Sequence, residues 1–264
     1  MNLPPERPEI RRRLKLVPAR RLVPTGMTVL ALCSGLTAMR LGLEERWYLA
    51  VAAILVAAIL DFLDGRIARL LKGDSKFGAE LDSLSDVVCF GVAPAMLLYH
   101  WSLRDFGRFG WVLALALAVC CALRLARFNT MLETPDEVDL SHRYFIGVPA
   151  PAGAGIALLP LFMNFQLDLE IFRAPIVCTL FTGLAAFLMV SQVHTYSPKR
   201  IAIRRDLVIP VVLCIGLFAA FLTSYLWGTI AMACILYLVS IPFSQRRYAE
   251  ERDKLIAAQR QTPR

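Results

Sequence analysis

Residues 47–71 read WYLAVAAILVAAILDFLDGRIARLL, a long apolar segment followed by charged residues. No charged residue occurs between Trp47 and Leu60, and the whole segment exceeds the roughly 20 apolar residues that a helix needs to cross a bilayer. Asp61 and Asp64 follow at the point where this helix would leave the hydrocarbon region. The stretch therefore predicts a transmembrane helix that ends in a pair of acids.

Similar apolar segments occupy most of the chain. Of its 264 residues 57% are hydrophobic and 19% charged, and the mean hydropathy is +0.57. This composition excludes a water-soluble globule, a disordered chain and a disulfide scaffold, because ordinary globular domains are about a quarter charged. We expect an all-α polytopic membrane protein with about eight spans. The predicted spans are Thr25–Leu43, Trp47–Leu71, Leu84–Trp101, Phe109–Phe128, Pro149–Phe165, Ala174–Gln192, Leu207–Trp227 and Gly228–Ser244.

Proline, glycine and cysteine add detail to this outline. The third span contains Pro94 and the fifth begins PAPAGAG, so we expect kinks in both. The last two spans would be joined by a tight hairpin at Trp227-Gly228. All seven cysteines fall in apolar segments without a CxxC spacing, which predicts packing residues and no metal site.

The basic residues predict the orientation. Of 29 Lys and Arg residues, all but Arg40, Arg46, Arg104, Arg108 and Arg173 lie in the two tails and in alternate loops. Basic residues stay on the cytoplasmic side, so both termini are predicted to be cytoplasmic. The net charge of +8 is thus explained by topology, and we expect no nucleic-acid partner.

Four segments follow from this outline. Residues 1–24 are basic and form either an amphipathic interfacial segment or a simple topology anchor, but not a cleaved signal peptide. Residues 25–192 form a transmembrane core, and residues 193–244 add a basic loop and two further helices. Residues 245–264 are a charged cytoplasmic tail.

Four carboxylates are predicted to meet at the cytoplasmic end of the second and third spans. Asp61 and Asp64 are three residues apart, and Asp82 and Asp86 are four apart, so each pair lies on one face of a helix. Four converging carboxylates repel each other unless cations neutralise them. Oxygen ligands of this kind favour Mg²⁺ or Mn²⁺, and two ions would suit four acids.

Small and basic residues surround these acids. Gly65, Ala68 and Gly78 would let a ligand approach the backbone, although small residues also serve helix packing. Arg69 offers a planar fork of donors suited to phosphate, and Ser75 adds a hydroxyl. These residues predict a site for a phosphorylated ligand.

The string D61-x2-D64-G65-x2-A68-R69-x8-G78-x3-D82-x3-D86 resembles the signature of the CDP-alcohol phosphatidyltransferase family at every position. The resemblance implies a six-helix membrane core over Thr25–Gln192, usually homodimeric, so that the last two spans are an addition. It also implies transfer of a phosphatidyl group from CDP-diacylglycerol to an alcohol, with release of CMP.

The resemblance implies roles for the residues of this string. Asp61, Asp64 and Asp82 would hold the metals, and Asp86 would bind metal and act as general base. The residues that would contact the CDP group of the donor are Gly65, Ala68, Arg69, Ser75, Gly78 and Thr28. The first span departs from the family pattern, because Thr25 and Ala31 stand where asparagines are common.

Three further strings resemble the branch of the family that uses L-serine as acceptor and forms phosphatidylserine. They are RLARFN at 124–129, FIGVPAPA at 145–152 and MVSQVHTYSPK at 189–199. Arg124 and Arg127 share one helix face near Asn129, which suits capture of a carboxylate, although arginines at helix ends also extend to lipid headgroups. For Tyr196 and Lys199 an interfacial role is the better interpretation, and His142 and His194 are predicted to be loop residues.

Two alternatives stay open. The acceptor could be glycerol 3-phosphate or inositol phosphate, because the basic loop with Lys199, Arg200, Arg204 and Arg205 could receive a phosphate. The acids could instead line the path of a cation transporter, although they cluster at one end of the membrane. We expect an integral protein of a bacterial cytoplasmic membrane, with its site facing the cytoplasm.

Overall fold

Helices form nearly all of the part of the chain that the structure describes. The computed structural model describes residues 19–71, 75–133, 144–191, 194–196 and 208–261. Its α-helices are α1 (Ala19–Leu43), α2 (Trp47–Leu71), α3 (Lys76–Asp86), α4 (Ala93–Trp101), α5 (Arg108–Glu133), α6 (Ala150–Ala157), α7 (Leu159–Leu167), α8 (Pro175–Val190), α9 (Val208–Ser224) and α10 (Leu226–Gln261). Short 3₁₀ helices at Leu103–Phe106 and Glu170–Arg173 precede α5 and α8.

The helix lengths confirm a polytopic membrane protein. Within the described residues, five helical segments are long and apolar enough to cross a bilayer, and the bent pair α6 and α7 makes up to six. The helix α8, with 16 residues, is shorter than the usual span. The count of eight spans and the cytoplasmic position of both termini stay predictions. The segment 1–24 lies mainly outside the described residues, and α1 already begins at Ala19.

The third span is longer than predicted. We expected it to begin at Leu84, but one helical segment runs from Lys76 to Trp101 and includes Asp82 and Asp86. Ser75 caps its start, because the Ser75 hydroxyl accepts a hydrogen bond from the amide of Gly78 at 3.0 Å. Polar residues lower the local hydropathy here without interrupting the helix.

No sharp bend separates α3 from α4. A π-helical segment, Val87–Val92, joins them directly after Asp86 and before Pro94. A π-helical turn widens the backbone spacing and often occurs beside functional sites. It therefore takes the place of the kink that we expected at Pro94.

The fifth span is bent as predicted. The axes of α6 and α7 differ by 48°, and the break falls at Leu158, before Pro160 at the start of α7. Before α6, the strand β1 (Tyr144–Ile146) pairs antiparallel with β2 (His194–Tyr196). His194, predicted in a loop, thus belongs to a short strand, whereas His142 and Lys199 lie outside the described residues.

The last two helices meet elsewhere than predicted. The break falls at Tyr225, so the hairpin predicted at Trp227-Gly228 is wrong, and both residues belong to the first turn of α10. Amides in a first helical turn have no partner within their helix. The Gly228 amide finds one outside, because it donates to Oε1 of Gln166 in α7 at 3.0 Å. The same helix continues to Gln261, so the tail predicted from residue 245 is largely helical.

The core lies where helices α1, α4, α5, α6 and α8 pack together. Fully buried residues include Phe90, Leu98, Leu117 and Phe162. The cysteines are all free, as the absence of paired spacings indicated. This packing holds the ends of α2, α3 and α5 together at one end of the bundle, where the acids lie.

Candidate active site

Three carboxylates meet between the end of α2 and the middle of α3. One oxygen from each of Asp61, Asp64 and Asp82 lies within 4.8 Å of the others. The i, i+3 spacing in α2 and the position of α3 against α1 place all three on facing sides of their helices. The structure therefore brings together the two acidic faces that the sequence predicted.

Asp86 lies beside this group of three and not within it. Its carboxylate is within hydrogen-bonding reach of Asp61, which also reaches Asp82. Asp86 is the last residue of α3, one turn after Asp82, and the π-helical segment begins directly after it. Asp61 thus links the three-carboxylate group to Asp86.

Thr28 of α1 fixes the orientation of Asp64. The Thr28 hydroxyl donates to Oδ2 of Asp64 at 2.7 Å and also lies 3.1 Å from the carbonyl of Pro24. Both side chains are buried, each with 4% of its surface exposed. A buried carboxylate needs a donor of this kind, because burial removes the water that would otherwise solvate its charge.

A cavity of about 380 Å³ opens on one side of the acids. Its volume lies in the range of small-molecule sites. The lining residues come from α1, α2 and α3 and are Pro24, Thr25, Thr28, Asp64, Gly65, Ala68, Arg69, Ser75, Gly78, Ala79 and Asp82. All six residues that we assigned to the nucleotide line this cavity.

Two of these residues have local structural roles that their types did not reveal. Ser75 caps α3, and Nε of Arg69 donates to the carbonyl of Gly65 at 2.9 Å. A side chain at Gly65 would meet nothing within 4 Å, whereas a Cβ at Gly78 would lie 3.1 Å from the Ser75 hydroxyl oxygen. Gly65 therefore keeps the cavity open, and Gly78 makes room for the cap.

Arg124 is a charged neighbour of both Asp61 and Asp86, and its Nε is buried without a hydrogen-bond partner among the described residues. Asp61, Asp86 and Arg124 do not belong to the lining of the cavity described above. The cavity thus lies against Asp64 and Asp82, whereas the guanidinium neighbours Asp61 and Asp86.

Arg127 and Asn129, the other residues assigned to the acceptor, occupy different surroundings. The amide of Asn129 donates to the Ser83 hydroxyl at 3.0 Å and so ties α5 to α3 beside Asp82. Arg127 is half-buried, and of the two arginines Arg124 is the charged neighbour of Asp61 and Asp86. Their contact with an acceptor stays a prediction.

The pairing of β1 with β2 was not predicted. It joins two of the three strings noted in the sequence, since Phe145 lies opposite Thr195 and Ile146 opposite His194. Each strand has only three residues, too few for an alternating pattern to stand out. The ribbon holds the start of the fifth span against the end of α8.

Comparison with known proteins agrees with this geometry. Residues 21–191 match the family CDP-alcohol phosphatidyltransferase, and residues 206–242 match a second family, CDP-alcohol phosphatidyltransferase 2. The first match includes every residue of the acidic site, and the second covers α9 and the first half of α10.

Curated relatives extend the match over most of the chain. The CDP-diacylglycerol–serine O-phosphatidyltransferase of Mycobacterium leprae is 37% identical over 90% of this chain and 78% of its own. The protein of the same name from Mycobacterium tuberculosis H37Rv is 38% identical over 86% and 79%. The one from Helicobacter pylori J99 is 31% identical over 86% and 97%. With its four spaced acids and these matches, the chain belongs to the CDP-alcohol phosphatidyltransferase family.

Proposed function

We propose that the protein transfers the phosphatidyl group of CDP-diacylglycerol to the hydroxyl of L-serine, giving phosphatidylserine and CMP. The observation that carries this proposal is one cluster of carboxylates that has a cavity against Asp64 and Asp82 and an arginine near Asp61 and Asp86. A transferase of this kind must hold a nucleotide leaving group and an incoming alcohol on opposite sides of one phosphorus atom. The names of the curated relatives support serine as the alcohol.

The donor set fits a divalent metal ion. Oxygen atoms that share one Mg²⁺ or Mn²⁺ ion lie at most about 4.2 Å apart, since each is about 2.1 Å from the ion. The three oxygens of Asp61, Asp64 and Asp82, which lie within 4.8 Å of one another, would need only a small inward movement to share an ion. A second ion would use Asp86 together with Asp61. Bound ions would neutralise the diphosphate and stabilise the leaving CMP.

The cavity side would hold the CDP group. Gly65 and Ala68 leave room beside α2, and the Gly65 carbonyl uses one of the five N–H groups of Arg69. The other donors of this guanidinium would bind a phosphate oxygen. Thr28 and the Ser75 cap hold the walls of the cavity in place, and the acyl chains would lie between helices in the lipid.

The Arg124 side would receive the serine. Its guanidinium would bind the serine carboxylate and bring the hydroxyl close to Asp86. Asp86 takes the hydroxyl proton as the serine oxygen forms its bond to phosphorus, and the bond from phosphorus to the CMP oxygen breaks. A proton acceptor is needed here because a neutral alcohol is a weak nucleophile.

Because Arg124 is a single cation, it favours an acceptor that carries a carboxylate over an acceptor that carries a phosphate. Among the described residues, Arg124 is the cation that neighbours Asp61 and Asp86. A phosphorylated acceptor such as glycerol 3-phosphate would need further basic groups on this side. The basic residues of the loop 197–207 lie outside the described residues.

The surroundings of the site are also part of the proposal. We infer a bacterial cytoplasmic membrane with the site on the cytoplasmic face, because the acids lie at the same end as the predicted basic loops. Eight spans and a homodimer are the arrangement that the family resemblance implies.

An acceptor screen tests the function. The purified protein in detergent receives CDP-diacylglycerol with Mg²⁺ or Mn²⁺ and, in separate reactions, L-serine, glycerol 3-phosphate, inositol phosphate or no acceptor. We expect CMP release to depend on L-serine. Release that depends on a phosphorylated acceptor would replace the serine assignment, and no release with any acceptor, together with cation flux in vesicles, would favour a transporter.

A further inference from the structure

A pair of polar side chains joins α5 to α3. Nδ2 of Asn129 donates a hydrogen bond to Oγ of Ser83 at 3.0 Å, and both residues are half-buried. The Ser83 hydroxyl also lies 3.4 Å from Oδ1 of the same amide and 3.1 Å from the carbonyl of Ala79, one turn earlier in α3. A hydroxyl can donate one hydrogen bond while it accepts another, so Ser83 can bond to Asn129 and to Ala79 at once. The Ser83–Asn129 pair therefore links the side chain of α5 to the backbone of α3.

Helix packing fixes α3 unevenly. Among the described residues, α3 packs closely on α1 and only slightly on α5, which packs instead on the π-helical segment Val87–Val92 that follows α3. Hydrogen bonds between helices are one of the forces that fix their relative position in a membrane. The Ser83–Asn129 pair thus supplies a specific contact on the side of α3 where packing is weakest.

The acids of α3 move together with Ser83. Asp82 is the residue directly before Ser83, and Asp86 lies three residues after it. Side-chain atoms lie about 5–6 Å from the axis of a helix, so a rotation of α3 by about 10° would displace both carboxylates by about 1 Å. Asp82 would then no longer match the positions of Asp61 and Asp64, which each have an oxygen within 4.8 Å of its own.

We propose that Ser83 and Asn129 are positioning residues, whose hydrogen bond holds α3 at the rotation that brings the Asp82 carboxylate to the two carboxylates of α2. This inference rests on the proposed function, because it takes these three acids as metal ligands. It gives Asn129 a role that acts through α3, in place of the direct contact with the acceptor that the sequence predicted.

The test measures metal binding directly. Mn²⁺ is added to the purified protein in detergent, and free Mn²⁺ is followed by electron paramagnetic resonance. In Ser83→Ala and in Asn129→Leu we expect the dissociation constant for Mn²⁺ to rise about fivefold, the loss that a neutral hydrogen bond usually brings. The double variant should bind Mn²⁺ within about twofold of either single variant, because both substitutions break the same bond.

Two further variants separate the hydrogen bond from general damage to the helix. Ser83→Thr keeps the hydroxyl and should bind Mn²⁺ as the wild type does. Glu80→Gln changes an exposed residue three positions earlier on α3 and is the matched control. A double variant whose loss is the product of the two single losses, about 25-fold, would show that the two residues act independently and would overturn the inference.

Kinetics with serine separate positioning from direct contact with the acceptor. With Mn²⁺ saturating, the KM for L-serine should stay within about twofold of wild type in both single variants. Unchanged Mn²⁺ binding in either variant would overturn the positioning role, and a raised KM for L-serine in Asn129→Leu alone would then assign Asn129 to the acceptor. Wild-type protein that binds Mn²⁺ but releases no CMP with L-serine would overturn the proposed acceptor and leave the positioning role standing.

Discussion

The hydroxyl of Thr28 offers a sharp test of how the site is held together. In Thr28→Val the side chain keeps its shape but loses the 2.7 Å hydrogen bond to Asp64, a residue that is only 4% exposed. A hydrogen bond to a charged group contributes about 1.5–3 kcal/mol. Each 1.36 kcal/mol corresponds to a factor of ten, so kcat/KM for CDP-diacylglycerol should fall about 10- to 150-fold. Higher metal concentrations should recover part of this loss, because Asp64 would still be present but misplaced.

Thr37→Val is the matched control for this experiment. Thr37 lies on the same helix and is exposed. Its hydroxyl donates to the carbonyl of Cys33, four residues earlier, and the Thr28 hydroxyl makes the equivalent contact with the carbonyl of Pro24. The control variant therefore loses the same kind of backbone contact without touching a carboxylate. The assay is CMP release at several Mg²⁺ and Mn²⁺ concentrations with L-serine saturating. If Thr28→Val stays within about threefold of Thr37→Val throughout, the orientation of Asp64 by Thr28 does not matter for turnover.

Three further predictions concern the acids and the orientation. Asp82→Asn or Asp61→Asn should abolish transfer and weaken divalent-metal binding. Glu80→Gln, which changes an exposed acid on the same helix as Asp82, should do neither. Near-normal turnover of either Asp variant at all metal concentrations would remove the metal hypothesis. Asp86→Asn should keep most of its affinity for CDP-diacylglycerol while the single-turnover rate falls by about 10²–10⁴, in contrast to Asp64→Asn, which should lose both; parallel losses in the two variants would refute the general-base assignment. In a chain whose seven native cysteines are replaced, Lys76→Cys should react with impermeant reagents only from the cytoplasmic side. Labelling of this cysteine in intact cells would contradict the predicted orientation.

The acidic site could be predicted because it depends on local spacing. Asp61 and Asp64 must share a face of any helix that contains them, and so must Asp82 and Asp86. Spacing alone does not reveal that three of these acids bring their oxygens close together, whereas the fourth, Asp86, lies beside them. That division depends on how α2 and α3 pack in the folded chain.

The acceptor side was harder to predict for the same reason. Arg124 and Arg127 have similar surroundings in the sequence, but in the structure Arg124 alone of the two neighbours Asp61 and Asp86. At the start of α10, the Gly228 amide donates to Oε1 of Gln166 in α7, a contact that no local pattern reveals. Local chemistry was thus readable from the sequence, whereas contacts between distant helices were not.

The reaction proposed for this site joins a phosphatidyl group to serine. The most direct measurement supplies purified protein with CDP-diacylglycerol, a divalent metal and ¹³C-labelled L-serine, and follows labelled lipid by mass spectrometry together with CMP. We expect labelled phosphatidylserine and CMP in equal amounts, and neither product from Asp82→Asn. CMP release without labelled lipid, or the same yield from Asp82→Asn, would contradict it.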